Sequence, residues 1–513
     1  MKDSKLRLVR YQAIIIGGGH NGLTCAAYLA RSGLSVLVLE RHESVGGAAI
    51  SEAPWPGWTV SEASYVCSLL HPDIIEELDL PGFGLFLYRK DPASFTPLLD
   101  GRSLLLGTDS EANAREIGAF ATDDVAGFRS FGREAERLGS IVFDASCDPN
   151  ASFERLAGDV RSTFEGPVSS LVERFVRTPV LQATLATDGL IGTFAGPRDP
   201  GTGYVLAHHY AGRALGEQGA WGYVRGGMGS ISRALAGAAT SAGAQIRTGA
   251  TVSSILVRDR RAAGVVLDDG SEIEADAVLS NADPMTTFLE LVPARTLERD
   301  FERRVRDWRC DGVSLKVNLA LGELPNFVAR PARGVAAHHR ATIHITPSLD
   351  YLQRAKDDAA LGRVSAEPML ECFMQTPTDA TLAPAGKHLL SVFAQYFPYR
   401  LAEGEWTPAR RDAAADLVVA TLAGYAPNIP NAIEARQVFT PLDLERRFGL
   451  RGGHIFHGEL VPGQIFEKRF AARTPLAHLY LCGSGAHPGG CVSGIPGLLA
   501  ARAVVADYSV VRG

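Results

Sequence analysis

The chain has 513 residues, of which 46% are hydrophobic and 21% charged. That balance belongs to a folded globular protein, and the length predicts two or three folding units. A formal charge of −6 leaves no basic excess for a phosphate backbone, which argues against nucleic-acid binding. Seven scattered cysteines without a CxxC pair predict neither a disulfide scaffold nor a structural zinc site, so no metal is assigned. The first apolar run, Ala13 to Ile16, is too short for a signal-peptide core, and no run approaches the ~18 apolar residues of a spanning helix. The expected location is cytoplasmic, with at most a peripheral membrane contact.

Tyr11 to Ile16 form a short apolar run that ends in Gly17, Gly18 and Gly19, after which Leu23, Ala26, Ala27 and Ala30 recur at helical spacing. Gly33 stops this helix, and Ser35 to Leu39 read as a second buried strand ending at Glu40. Tyr11 to Glu40 is thus one βαβ unit. From Pro81 to Gly219 the pattern turns to amphipathic helices, such as Ala119 to Phe143, and predicts an inserted substrate region. A helix over Ile231–Ala242 then precedes strands near Thr251–Val257, Ala263–Leu267 and Ala277–Ser280. Val313–Leu321 and His388–Gln395 also read as strands. The last unit is a strand, Leu479–Cys482, a Gly/Pro loop over Gly483–Gly494, and a helix over Pro496–Tyr508.

Gly17-x-Gly19-x-x-Gly22 lies directly after a strand and opens a helix, with Glu40 eighteen residues beyond Gly22. Glycines at this spacing permit a tight turn, a close approach of pyrophosphate to the backbone, and close helix–strand packing. The helix N-terminus offers free N–H groups and a positive dipole end to the phosphates. Glu40 can accept hydrogen bonds from both hydroxyls of an adenosine ribose and would repel a 2′-phosphate, which implies FAD or NAD and excludes NADP. Two further features favour FAD. The pair Gly46-Gly47 lets backbone pass close to a longer cofactor. The loop from Cys482 to Gly490, between a strand and a new helix N-terminus, suits a flavin ring whose reduced form carries negative charge.

These three blocks resemble those of the phytoene desaturase-like superfamily of FAD-dependent flavoproteins. The segments Gly19-His20-Asn21-Gly22-Leu23, Gly46-Gly47-Ala48-Ala49, Ala63-Ser64-Tyr65, Thr202 to Leu206, Gly219 to Val224, Gly226-Gly227-Met228-Gly229 and Pro441 to Leu450 resemble one branch more closely, that named for a pyridine-nucleotide-disulfide oxidoreductase domain. No CxxxxC redox pair is present to justify disulfide reduction. The resemblance runs from about Tyr11 to Ala503. It implies an α/β fold, with a glutathione-reductase-like (Rossmann-type) FAD domain from 1–80, 220–285 and 474–513. A mixed α/β substrate domain with a helical insert would come from 81–219 and 286–473. It assigns cofactor contacts to Gly17, Gly19, Asn21, Gly22, Glu40, Arg41, Gly46, Gly47, Ala48, Gly227, Met228, Gly483, Ser484, Gly490 and Cys491, with the backbone of Val252 pairing to adenine. The chain departs from the superfamily at Ala48, where many members carry arginine, and at Cys491, where relatives carry a third glycine.

Proton-handling candidates are His487 in the flavin loop and His209 beside Tyr210, since histidine titrates near neutral pH. The Cys491 thiol is the third catalytic candidate. The expected activity is FAD-dependent hydride removal from an apolar or partly apolar small molecule, with electrons passing to oxygen or a quinone. Two alternatives stay open: an amine or alcohol oxidase of a small metabolite, and an FAD-bound regulatory protein without turnover.

Overall fold

A computed structural model describes residues 10–512 of the chain. Strand β1 (Arg10–Ile16) leads into helix α1 (His20–Arg31), which returns the chain to β2 (Val36–Leu39), parallel to β1. Ala13, Ile14, Ile15 and all of β2 are buried, as a parallel strand covered on both faces requires. The strand Glu272–Ser280 pairs parallel to β1 on its other side, and Leu479–Leu481 adds parallel to the end of that strand. Gln245–Arg247 extends the sheet beyond β2, while Val252–Arg258 and Arg261–Leu267 join it antiparallel. One sheet therefore gathers strands from both ends of the chain and from its middle. Helix α1 packs against the helix Gly229–Ser241 and the last helix, Ile495–Arg512, over one face.

A second sheet of seven strands runs in the order Ile433–Phe439, Ser314–Leu321, His388–Gln395, Met369–Met374, Thr342–Ile345, Ser94–Pro97, Ser103–Leu106. Its alternation is the feature that matters for the site. Leu315, Val317, Ile343, Leu370, Cys372, Val392 and Ala394 pack on one face against Ala414, Val418 and Leu422 of the helix Pro408–Ala423. The residues between them, Ser314, Lys316, Thr342, His344, Glu371, Phe373 and Phe393, project from the opposite face into a cavity.

The run Ala119–Phe143 begins at the cap of one helix, Ser110–Gly118, and supplies most of another, Asp124–Ser146. The break has a tertiary cause. The Asp124 carboxylate accepts the backbone N–H groups of Arg177 and Thr178, each at 2.7 Å, and so fixes where the second helix begins. Phe131, Ala135, Leu138 and Val142 then lie buried along one stripe. Gly222–Val224 pairs with Leu87–Arg89 in a separate two-stranded ribbon. No helix among the described residues is long and apolar enough to cross a membrane.

Candidate active site

The βαβ turn builds a dinucleotide cradle from backbone. Gly19 caps α1 without any side-chain hydrogen bond, so the first N–H groups of the helix are left for a ligand. A Cβ on Gly22 would lie 2.3 Å from the Gly17 carbonyl oxygen, so only glycine lets the helix start this close to the turn. Glu40 is 5% exposed, and its two oxygens accept the N–H of Gly18 at 2.7 Å and of His42 at 2.9 Å. The Gly46 N–H donates to Gly18 O at 2.9 Å, which folds the Gly46–Gly47 loop back against the turn. Ala250 N–H donates to Glu40 O at 2.8 Å and sets the start of the strand Val252–Arg258 beside the Glu40 carboxylate.

The C-terminal loop meets this cradle through one side chain. Asn21 is 1% exposed and donates from Nδ2 to Ser484 Oγ at 3.0 Å, while its Oδ1 is buried without a partner. An orphaned acceptor between the helix terminus and a Gly/Ser loop is an opening that a donor of a bound dinucleotide, such as a hydroxyl of its ribityl chain, would fit. An uncapped helix, a buried carboxylate and an unpartnered amide together fit FAD.

Other sequence-predicted positions make contacts within the protein. Met228 is fully buried in the apolar core, its N–H bound to Ser61 Oγ at 3.0 Å, and Gly229 N–H donates to Ser51 Oγ at 2.9 Å. Neither Gly227 nor Met228 reaches the cavity. Their segment braces the Ser51–Ser61 hairpin behind the Gly46–Ala49 loop. Arg41 is exposed and points its Nε at His42 Nε2, 3.3 Å away. A Cβ on Gly490 would lie 2.4 Å from Phe456 Cα, so this glycine answers to protein packing.

The cavity itself holds about 320 Å³. His20, Ala48, Ser64, Tyr65, Ser484 and Cys491 bound it on the side of the dinucleotide cradle. Lys316, Thr342, His344, Glu371, Phe373 and Phe393 bound it from the second sheet, and Phe128, Leu185, Asp188, Ile191 and His209 from the helical insert. Tyr65 stacks on Phe373 at 4.3 Å and lies 5.7 Å from Phe393, with Lys316 Nζ 5.3 Å from its ring centre.

The three catalytic candidates behave differently. His209 lines the cavity, with Nδ1 2.7 Å from Asp188 O and 3.0 Å from Val205 O. Both partners are acceptors, so Nδ1 carries the proton and Nε2 keeps its lone pair. Burial holds this imidazole below its usual pKa, against the nearby Asp188 carboxylate. His487 is not part of the lining; its Nε2 is 3.1 Å from Ala145 O, against the long helix of the insert. Cys491 does line the cavity, but burial pushes its thiol up to about 12 and no cation offsets this, so the thiol stays protonated at neutral pH.

Sequence reasoning missed the sheet's contribution. Burial pushes Lys316 down to about 7, and its Nζ donates to Asn318 Oδ1 at 2.6 Å and to Ser391 Oγ. Burial pushes Glu371 up to about 8, reinforced by Asp188 and opposed by Lys90. Both sit in strands buried along nearly their whole length, Ser314–Leu321 and Met369–Met374. A charge inside a run of buried-strand type is the signal that could have found them.

A Rossmann-type sheet closed by the chain's last strand, joined across a cavity to a second sheet, defines an FAD-dependent oxidoreductase. The chain belongs to the family described as flavin containing amine oxidoreductase, whose model matches residues 22–504. It is 40% identical to the mouse pyridine nucleotide-disulfide oxidoreductase domain-containing protein 2, over 97% of this chain and 94% of that one. It is 26% identical to the lycopene-forming phytoene desaturase of Pseudescherichia vulneris, over 97% and 99%. Among solved structures it superposes on an oxidoreductase from Methanosarcina mazei with a TM-score of 0.63, at 18% identity over 97% of this chain and 100% of that one. Cyclohexylamine oxidase from Brevibacterium oxydans superposes with a TM-score of 0.60, at 16% identity over 97% and 99%.

Proposed function

We propose that the protein removes hydride from an apolar or partly apolar organic substrate, as a desaturase or dehydrogenase, with the electrons leaving to oxygen or a quinone. The observation that carries this reading is the lining of the cavity between the dinucleotide cradle and the second sheet. Leu69, Phe128, Leu185, Ile191, Ile455 and Phe456 give it an apolar wall able to desolvate a hydrocarbon body. FAD supplies the hydride acceptor. The chain's own part is to hold the donor carbon beside Ala48 and Cys491, exclude water, and take up a proton. His209 Nε2 is the group we assign to that proton, because Nδ1–H is fixed by two carbonyl oxygens. The name of the P. vulneris relative supports carbon–carbon desaturation.

Residues 1–80, 220–285 and 474–513 are assigned to the FAD domain and the rest to the substrate domain. Within the FAD domain, Glu40 is assigned to the adenosine ribose, Gly17, Gly19 and Gly22 to the pyrophosphate, and Asn21 to a hydroxyl of the cofactor. A second reading, oxidation of an amine or alcohol, draws on the ionisable groups Lys90, Asp188 and Glu371 in the same cavity.

The visible spectrum of FAD-loaded protein, mixed anaerobically with apolar alcohols, amines and polyenes, tests both readings. Bleaching by polyenes or isoprenoids is expected, and bleaching by amines alone would favour the second reading. Full FAD occupancy with no bleaching by any compound would overturn both.

A further inference from the structure

Lys90, Asp188, His344 and Glu371 line the same cavity, and the hydride transfer described above uses none of their side chains. Lys90 Nζ donates to Ala93 O at 3.0 Å and to Thr342 Oγ1, which leaves one of its three N–H groups over. No ion pair joins Lys90 to a carboxylate among the described residues. Its nearest aromatic neighbour is Phe373, with the ring centre 5.6 Å away. Glu371 is 2% exposed, and His344 Nε2, 3.6 Å from Oε1, is just beyond hydrogen-bond reach. His344 Nδ1 is buried without a partner. Asp188 gives its backbone oxygen to His209 and keeps its carboxyl oxygens for the cavity.

A cation, two carboxyl groups and an imidazole thus face one enclosed space with unused hydrogen-bonding capacity. Burial pushes Lys90 down to about 8 and Glu371 up to about 8, so each group is poised between charged and neutral forms. What could occupy this space is constrained by its mixed sign. A hydrocarbon would leave donor and acceptors unmatched. A carboxylate would be repelled by whichever of Glu371 and Asp188 is ionised, and an ammonium by Lys90 in its protonated form. A hydroxyl accepts from Lys90 and donates to Glu371 or Asp188 through one oxygen.

We propose that Lys90, Asp188 and Glu371 form a recognition point for the hydroxyl group of an otherwise apolar substrate, so that the molecule taken by this cavity is a long-chain or isoprenoid-type alcohol. This rests on the oxidoreductase reading above and narrows its substrate class. The hydroxyl is held by the polar cluster, and the carbon body is left to the apolar wall.

The test compares skeleton-matched probes on FAD-loaded protein: farnesol, farnesene, farnesylamine and farnesoic acid. Binding is read twice, by the shift of the flavin band and by quenching of tryptophan fluorescence, since Trp221 lines the cavity. Farnesol is expected to bind at least about ten-fold more tightly than farnesene. Lys90→Met and Glu371→Gln should each weaken farnesol by about ten-fold while farnesene stays within about two-fold. Glu371→Gln is nearly isosteric, so it carries the test if Lys90→Met does not fold. Equal affinity for alcohol and hydrocarbon, tighter binding of the amine or acid, variants that keep the preference, or no binding of farnesol would each overturn the proposal. Protein that holds no FAD, yet shows the alcohol preference by fluorescence, would overturn the oxidoreductase reading and leave this one standing.

Discussion

Replacing Glu40 by glutamine isolates the contribution of one buried carboxylate to the cradle. Both oxygens already accept a backbone N–H, from Gly18 at 2.7 Å and from His42 at 2.9 Å, at a site only 5% exposed. The glutamine keeps the shape but turns one oxygen into an NH₂ that faces an N–H. A buried donor left without an acceptor costs about 1–3 kcal/mol, so the protein without FAD should lose about that much stability. The ribose hydroxyls would use the remaining lone pairs and lose one charged acceptor, a hydrogen bond of about 1.5–3 kcal/mol. At 1.4 kcal/mol per tenfold, the Kd for FAD should rise about 10- to 100-fold. Titration of FAD by quenching of its fluorescence measures this directly, and a thermal melt of the FAD-free protein measures the first part separately. A Kd within about two-fold of the parent's would refute the assignment of Glu40 to the ribose. A lowered melt with an unchanged Kd would make it a purely structural brace of the turn.

Gly22→Ala should cost about as much stability as Glu40→Gln, because its Cβ would sit 2.3 Å from a backbone oxygen and α1 must move off the turn. Overpacking of this kind costs about 1–3 kcal/mol, and purified variant should show a lower ratio of flavin to protein absorbance. Asn21→Ala removes the 3.0 Å bond to Ser484 and should weaken FAD by about ten-fold, read by the same titration, with retention of full affinity counting against a cofactor role. Cys491→Ala should keep both FAD and substrate-dependent bleaching, and the native thiol should react slowly with iodoacetamide at neutral pH, because burial holds it near 12. For Glu371 the folded pKa, about 8, lies above the ordinary carboxyl value, so the folded state binds the extra proton. Stability linked to this group is therefore present below about pH 4.5 and is lost as pH rises towards about 8. Thermal melts of Glu371→Gln and the parent should consequently diverge in the variant's favour between those values, and parallel melts would show that Glu371 is not desolvated in the free protein.

The dinucleotide half of the molecule was open to sequence reading because its determinants are local. Gly17 to Gly22 and Glu40 act through a turn, a helix start and the end of the next strand, within thirty residues, and the structure joins them by short hydrogen bonds. The strand His388–Gln395 falls where its apolar pattern predicts it. The same reasoning failed where a contact depends on distant chain. Ala119–Phe143 is helical by periodicity, but its helix starts only at Asp124, whose carboxylate binds backbone more than fifty residues on. Met228 resembles a cofactor contact in its motif, and its N–H is held by Ser61 Oγ, a contact that nothing near Met228 in sequence signals.

The catalytic side was the less legible half for a related reason. Histidine is a natural first suspect, and His487 sits in a loop that the flavin reading made prominent, yet that ring turns to the long insert helix. Two of the cavity's charges instead come from the second sheet, where alternation puts Leu315, Val317, Leu370 and Cys372 in the core and Lys316 and Glu371 across from them. Both faces of these strands are buried, so the pattern reads as continuously apolar with an interruption, not as hydrophobic-in and polar-out. A buried charge carries a desolvation penalty, visible in the opposite shifts of Lys316 and Glu371. Groups held at that cost beside a cofactor cradle are more informative than any single histidine in a loop, because packing alone would have replaced them with leucine.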